Sequence, residues 1–215
     1  MPDIIQNVVV TGSDNEVIVA GRDVYRPVYH LSQPSAEERS GLLNVLELVR
    51  QRWVADVLER SVERTSTLDP VMRPEPRPAE QPWERERAAA GPVDDSPRPV
   101  TFIADVFDRA GRTLLILGEP GAGKTIALLT LARACLERAE GDPMAPVPVV
   151  LNLSSWARSR ESMHDWLVTQ LFTHYQPGRL SAMRLIERHR LLLLLDGLDE
   201  VEEEVRTACV EAIDR

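Results

Sequence analysis

Lysine is nearly absent from this chain: of its 25 basic side chains only Lys124 is a lysine, and arginine supplies the rest. Those arginines are mostly interleaved with Glu or Asp, and the formal net charge is -9. No cluster of cations is available to neutralise a run of phosphates, which excludes a duplex-binding surface. Cysteine is scarce too. Cys135 and Cys209 each fall in a helical pattern with no partner at metal-ligand spacing, so both are read as small buried hydrophobes in a reducing cytosol. The four histidines, at 30, 164, 174 and 189, are scattered among different segments and suggest neither a metal site nor a triad. Long apolar runs are missing as well. The longest, Leu191 to Leu195, is far short of the roughly 20 residues that span a bilayer. The opening "MPDIIQNVVV" has no basic stretch leading into an apolar one. The expected location is the cytoplasm, with no direct contact to membrane or nucleic acid. The arginine bias, with abundant Ala and Pro, is by association the habit of a GC-rich bacterial genome.

What is present is a chain of 215 residues with 43% hydrophobic content, enough for one full domain and a smaller one. Residues 1–31 alternate short Val/Ile runs with the turn-formers "TGSDN" and "AGRD", which predicts a short β-rich segment. Its units "NVVVTGSD" and "NEVIVAGRD" echo each other, too few copies for a solenoid. Residues 34–66 read as an amphipathic helix. Ser35 and Glu38 have the spacing of a capping box, and Leu42, Leu46, Val49, Trp53, Val57 and Leu58 recur as one apolar stripe suited to packing. Residues 67–99 are crowded with proline, which removes donors and restricts neighbours, so they are expected to be a linker or strap, with Trp83 as its anchor. From residue 100 to 215 the pattern runs strand, loop, helix, strand, helix, strand. Alternation of this kind with continuous apolar strands predicts an α/β fold whose parallel sheet is covered by helices on both faces.

Two strand ends carry the chemistry. Gly118, Glu119, Pro120, Gly121, Ala122, Gly123, Lys124 and Thr125 spell a full phosphate-binding loop between an aliphatic strand and a helix, the context the pattern requires. The glycines permit backbone angles that turn successive N–H groups toward phosphate oxygens, and the following helix adds its positive end. Lys124 is a compact charge on a flexible stem, able to reach between β- and γ-phosphates where a planar guanidinium is too wide. Thr125 places a hydroxyl for Mg²⁺. The second strand end is "LLLLLDGLDE", Leu191 to Glu200. Its leucines bury the strand, so Asp196 emerges at the carboxyl end, where ligands of open parallel sheets bind. Asp196 is the expected Mg²⁺ ligand, and Asp199 or Glu200 the carboxylate that orients and deprotonates the attacking water.

"GEPGAGKT" followed by "LLLLLDGLDE" resembles the NACHT domain of STAND signalling NTPases, whose second motif has Asp, a small residue, a hydrophobic residue and then Asp-Glu. "VPVVLNLSSWARSR" and the helix "LLNVLELVRQRWVADVLERS" are similar to segments of bacterial NACHT proteins, so the resemblance covers roughly residues 36 to 215 and leaves 1–31 outside. It implies a P-loop NTPase sheet, an ATP/ADP-controlled switch, self-association on activation, and a protein or ligand signal of unknown nature. On the resemblance the family continues beyond its second motif with a sensor arginine, a winged helix and usually repeats, and this chain is expected to stop short of them. On the same resemblance the strand at Leu114 to Leu117 is flanked by two later strands, so this chain alone is expected to leave it without neighbours.

Other classes are weighed against specific residues. A remodelling ATPase of the AAA+ type usually places its acidic pair directly after the strand, whereas here Asp196-Gly197-Leu198 precedes Asp199-Glu200. A GTPase needs an Asn-Lys-x-Asp loop, which a chain with no second lysine cannot contain, so adenine is expected. A nucleotide-binding scaffold without turnover would lose the acids that this chain keeps.

Overall fold

The computed structural model describes residues 8–12, 34–59, 71–72, 98–99 and 103–213. Trp83 and most of the proline-rich stretch lie outside them, as does the second of the two N-terminal echoes. The described order begins with β1 (Val8–Gly12), α1 (Ala36–Val49), a π-helical continuation (Arg50–Glu59), β2 (Val71–Met72) and β3 (Arg98–Pro99). It continues through α2 (Ile103–Arg109), β4 (Leu114–Leu117), α3 (Lys124–Gly141), β5 (Val147–Asn152), α4 (Leu153–Ser159) and α5 (Met163–Tyr175). Then come α6 (Arg179–Glu187), β6 (Leu191–Asp196), a 3-10 turn (Leu198–Glu200) and α7 (Glu203–Ile213).

The sheet is parallel throughout, in the order β4-β1-β6-β5. Both faces are buried, as the unbroken aliphatic strands predict. Leu191, Leu193 and Leu195 join Val149 and Leu151 on one face, in a core with residues of α1, α5, α6 and α7 such as Val45, Trp166, Leu185 and Val205. Leu192 and Leu194 join Val150 and Ile116 in the other core, under Phe107 of α2 and Leu128 and Leu131 of α3. The period-2 alternation of β6 thus places every leucine of the run in a core.

The helix from Ser35 starts as its capping box requires: the Ser35 N–H donates to Glu38 Oε2 at 2.8 Å and the Glu38 N–H to Ser35 Oγ at 3.2 Å. That first bond, with the Arg188 guanidinium 2.8 Å from the same carboxylate, holds Glu38 below the usual carboxylate range. The pair ties α1 to the end of α6. The two thiols are buried, and burial pushes Cys135 up to about 11 and Cys209 up to about 12, which keeps both protonated. Each acts as a small apolar filler. At the ends of the proline-rich stretch, β2 and β3 pair antiparallel, with Val71 opposite Pro99 and Met72 opposite Arg98.

One sequence expectation is corrected here. The strand Leu114–Leu117 is not left without a neighbour, because β1 lies alongside it, with Val9 opposite Leu114 and Gly12 opposite Leu117. On its other side β1 pairs with β6, Val8 opposite Leu193 and Val10 opposite Leu195. The physical reason is the backbone demand of an interior strand: unpaired N–H and C=O groups between two buried strands are costly, and a Val-rich segment satisfies both ladders at once. This placement predicts that Val10→Pro, which deletes a ladder donor in an interior strand, costs about 3 kcal/mol. Thermal denaturation reads it; an unchanged midpoint would remove β1 from the sheet.

Among the described residues β5 ends the sheet on its other side, and its outer edge is capped at Val150. The Tyr175 hydroxyl accepts the Val150 N–H at 2.9 Å and donates to the Val150 carbonyl at 2.8 Å. Trp53 Nε1 donates to the Tyr175 hydroxyl oxygen at 3.0 Å. Burial pushes the Tyr175 hydroxyl up to about 12, so the proton it donates is retained. Among the described residues no helix is long and apolar enough to cross a membrane.

Candidate functional site

All four strands of the sheet run the same way, so their carboxyl ends gather at one rim, and the loops leaving β4, β5 and β6 meet there. From β4 the chain turns through Gly118 to Gly123 into α3. Gly121 and Gly123 take left-handed angles, φ 83° and 90°, which a side chain would strain. Gly118 is favoured by close approach as well: a Cβ there would come 3.2 Å from the Ala122 Cβ. The Ala122 N–H closes the loop on the Glu119 carbonyl at 3.0 Å, and Pro120 forms its exposed tip. Gly123 caps α3 without a side-chain hydrogen bond, so the helix presents backbone donors at its positive end.

Lys124 folds back over this loop. Its Nζ donates to the Gly118 carbonyl at 2.7 Å and the Glu119 carbonyl at 3.1 Å. The same ammonium lies 3.1 Å from Asp199 Oδ2, with only 10% of the lysine side chain exposed. Next to it the Thr125 hydroxyl donates to Asp196 Oδ2 at 3.0 Å, while Asp196 Oδ1 accepts the Gly197 N–H at 3.0 Å. The two motifs, distant in sequence, are therefore joined by two side-chain contacts. Lys124 meets Asp199, and Thr125 meets Asp196.

A hydroxyl and a carboxylate converging at hydrogen-bond distance are hard oxygen donors of the kind Mg²⁺ takes when phosphates and waters complete its shell. Among the described residues no group of three or more His, Cys, Asp and Glu side chains could hold a metal by itself.

Asp199 and Glu200, adjacent in sequence, have different partners. Glu200 Oε2 accepts from Asn152 Nδ2 at 3.3 Å. Asn152 was not singled out in the sequence, yet it ends β5 in register with Asp196 at the end of β6. Its signal is the one that identifies Asp196: a polar residue terminating an unbroken apolar strand, here "VPVVLN". Lacking a second acid beside it, the pattern is fainter.

Residues 112–212 match the family model of the NACHT domain. The span runs from just before β4 into α7 and includes every residue of the site described above, while β1 and the helix from Ser35 lie outside it. No curated protein and no solved structure matches the chain.

Proposed function

We propose that the protein, whose residues 112–212 match the NACHT family model, binds Mg²⁺-ATP and hydrolyses it as a signal-transduction switch, in the manner of a P-loop nucleoside triphosphatase of the STAND class. The observation that carries this reading is the double junction between the two motifs: Thr125 on Asp196, and Lys124 on Asp199. In this reading the backbone donors of Gly118 to Thr125 cradle the phosphates, with Glu119, Pro120 and Ala122 shaping the loop around its glycines. Lys124 supplies the neutralising charge, and Thr125 and Asp196 hold Mg²⁺, which neutralises charge on the transferred phosphoryl group when bound.

The two remaining carboxylates divide the work. Glu200, exposed and next in sequence to Asp199, orients the attacking water and takes its proton. Asp199, paired with Lys124, sets the lysine's position and competes with phosphate for its charge. ADP then marks the resting form and ATP the active one, with self-association through the NTPase module following ATP. The signal that drives the exchange is a protein or ligand. The same reading includes adenine as the base and a place in bacterial defence or regulation, in the cytoplasm.

The test is direct. Nucleotide extracted from the purified protein is expected to be adenine nucleotide, and titration calorimetry should give Mg²⁺-dependent ATP binding that GTP does not match. Preference for GTP, or no Mg²⁺-dependent binding, would overturn the reading.

A further inference from the structure

We infer that Asn152 is a positioning residue for the attacking water, acting through Glu200. The inference rests on Glu200 being the base of the proposed hydrolysis. Asn152 has two amide atoms with two different jobs. Its Oδ1 accepts the Ser154 N–H at 2.8 Å and caps α4. A backbone N–H can only donate, so this bond fixes the amide's orientation and turns the donating Nδ2 toward Glu200, 3.3 Å away.

Gly197 makes the contact possible. A Cβ at that position would come within 3.0 Å of Asn152 Nδ2 and 3.1 Å of Glu200 Oε2, and its φ of 78° further disfavours a side chain. Glycine thus leaves room for the amide and the carboxylate to meet over it. The chemistry of the donor fits the role. A neutral amide orients a carboxylate without cancelling its charge, whereas an arginine or lysine in the same place would weaken it as a base. Asp199 beside it is already paired with Lys124. One acid of the pair is aimed at the phosphate loop and the other is held from β5.

The aspartate variant separates this role from helix capping. Asn152→Asp keeps an oxygen for the Ser154 N–H but replaces the donor with a like charge facing Glu200. ATP turnover and ATP affinity are measured for N152D, N152A, E200Q and the double variant N152A/E200Q, together with thermal midpoints. N152D is expected to keep the midpoint and ATP affinity while lowering kcat roughly tenfold or more, and N152A to lower kcat similarly. In the E200Q background N152A should cost nothing further, because its effect passes through that carboxylate. Slow E200Q with full-speed N152D overturns the positioning role and leaves the function standing. Additive losses in the double variant overturn it too, since Asn152 would then act elsewhere. Full-speed E200Q, or an unsubstituted protein that turns over no ATP, overturns the reading of Glu200 and the inference with it.

Discussion

Lys124→Ala is expected to raise the Kd for Mg²⁺-ATP at least about a hundredfold, the consequence of roughly 3 kcal/mol lost with the one ammonium of the phosphate loop. The loss has two parts. The phosphates lose their cation, and Asp199, now without the partner 3.1 Å away, turns an unmatched negative charge toward them. Lys124→Arg should do little better. The ammonium sits within reach of two loop carbonyls, at 2.7 Å and 3.1 Å, in a bend closed by the Ala122 N–H on the Glu119 carbonyl, and a planar guanidinium does not fit that point of convergence. Stability should barely change, because the side chain belongs to neither hydrophobic core. Calorimetric titration checks the affinity, and unchanged binding would sink the phosphate-loop assignment. The composition offers a second check. With a single lysine in the sequence, an amine-reactive ATP analogue can modify only Lys124 and the terminal amine, and excess ATP should protect Lys124.

Glu200→Gln is expected to bind Mg²⁺-ATP normally and to turn it over about a hundredfold to a thousandfold more slowly, the usual range for losing a general base. The amide is isosteric and can still face Asn152, so shape is retained while basicity is lost. Asp196→Asn should behave differently, weakening the Mg²⁺ dependence of binding, because its Oδ2 is the oxygen that meets the Thr125 hydroxyl. Asp199→Asn removes the anion beside Lys124 and should act on nucleotide affinity more than on the chemical step. Single-turnover kinetics beside equilibrium binding resolve these outcomes. If the three variants lose binding and turnover in the same proportion, the division of roles is wrong.

The loop from Gly118 to Thr125, between β4 and α3, was legible in the sequence because its backbone dictates residue types at fixed spacing. Glycines must stand where left-handed angles or close approach are needed, as at Gly121, Gly123 and Gly118, and a lysine must follow. The buried strand at Leu191 to Leu195 was legible for a simpler reason, since a five-leucine run has no polar face to offer solvent. The capping box at Ser35 was local and complete within four residues. Other features depend on contacts that no periodicity encodes. The order of parallel strands is set by long-range pairing, so nothing in "VVVTG" announced that β1 would stand between β4 and β6. The apolar stripe of the first helix was read at α-helical period. Its end winds as a π-helix, so Val54 joins the buried positions, while Leu58 is buried as the stripe predicts and Trp53 and Val57 pack partly buried against the same core as Leu58. Asn152 was missed because its contacts are with Glu200 and the space over Gly197, which only the fold brings near.

The Tyr175 hydroxyl has a consequence for the sheet's behaviour among other chains. β5 borders the sheet and is mostly Val, Pro and Leu, the composition on which a stray extended peptide would add itself as another strand. Such addition is a zipper of backbone bonds, and Val150 sits in the middle of the run with both of its outward groups already taken by one phenol oxygen. An incoming strand would have to evict a buried aromatic ring and strand the Trp53 indole N–H before its register could propagate past that residue. The tyrosine therefore works as a stop in the zipper, holding the border of the sheet to its own chain.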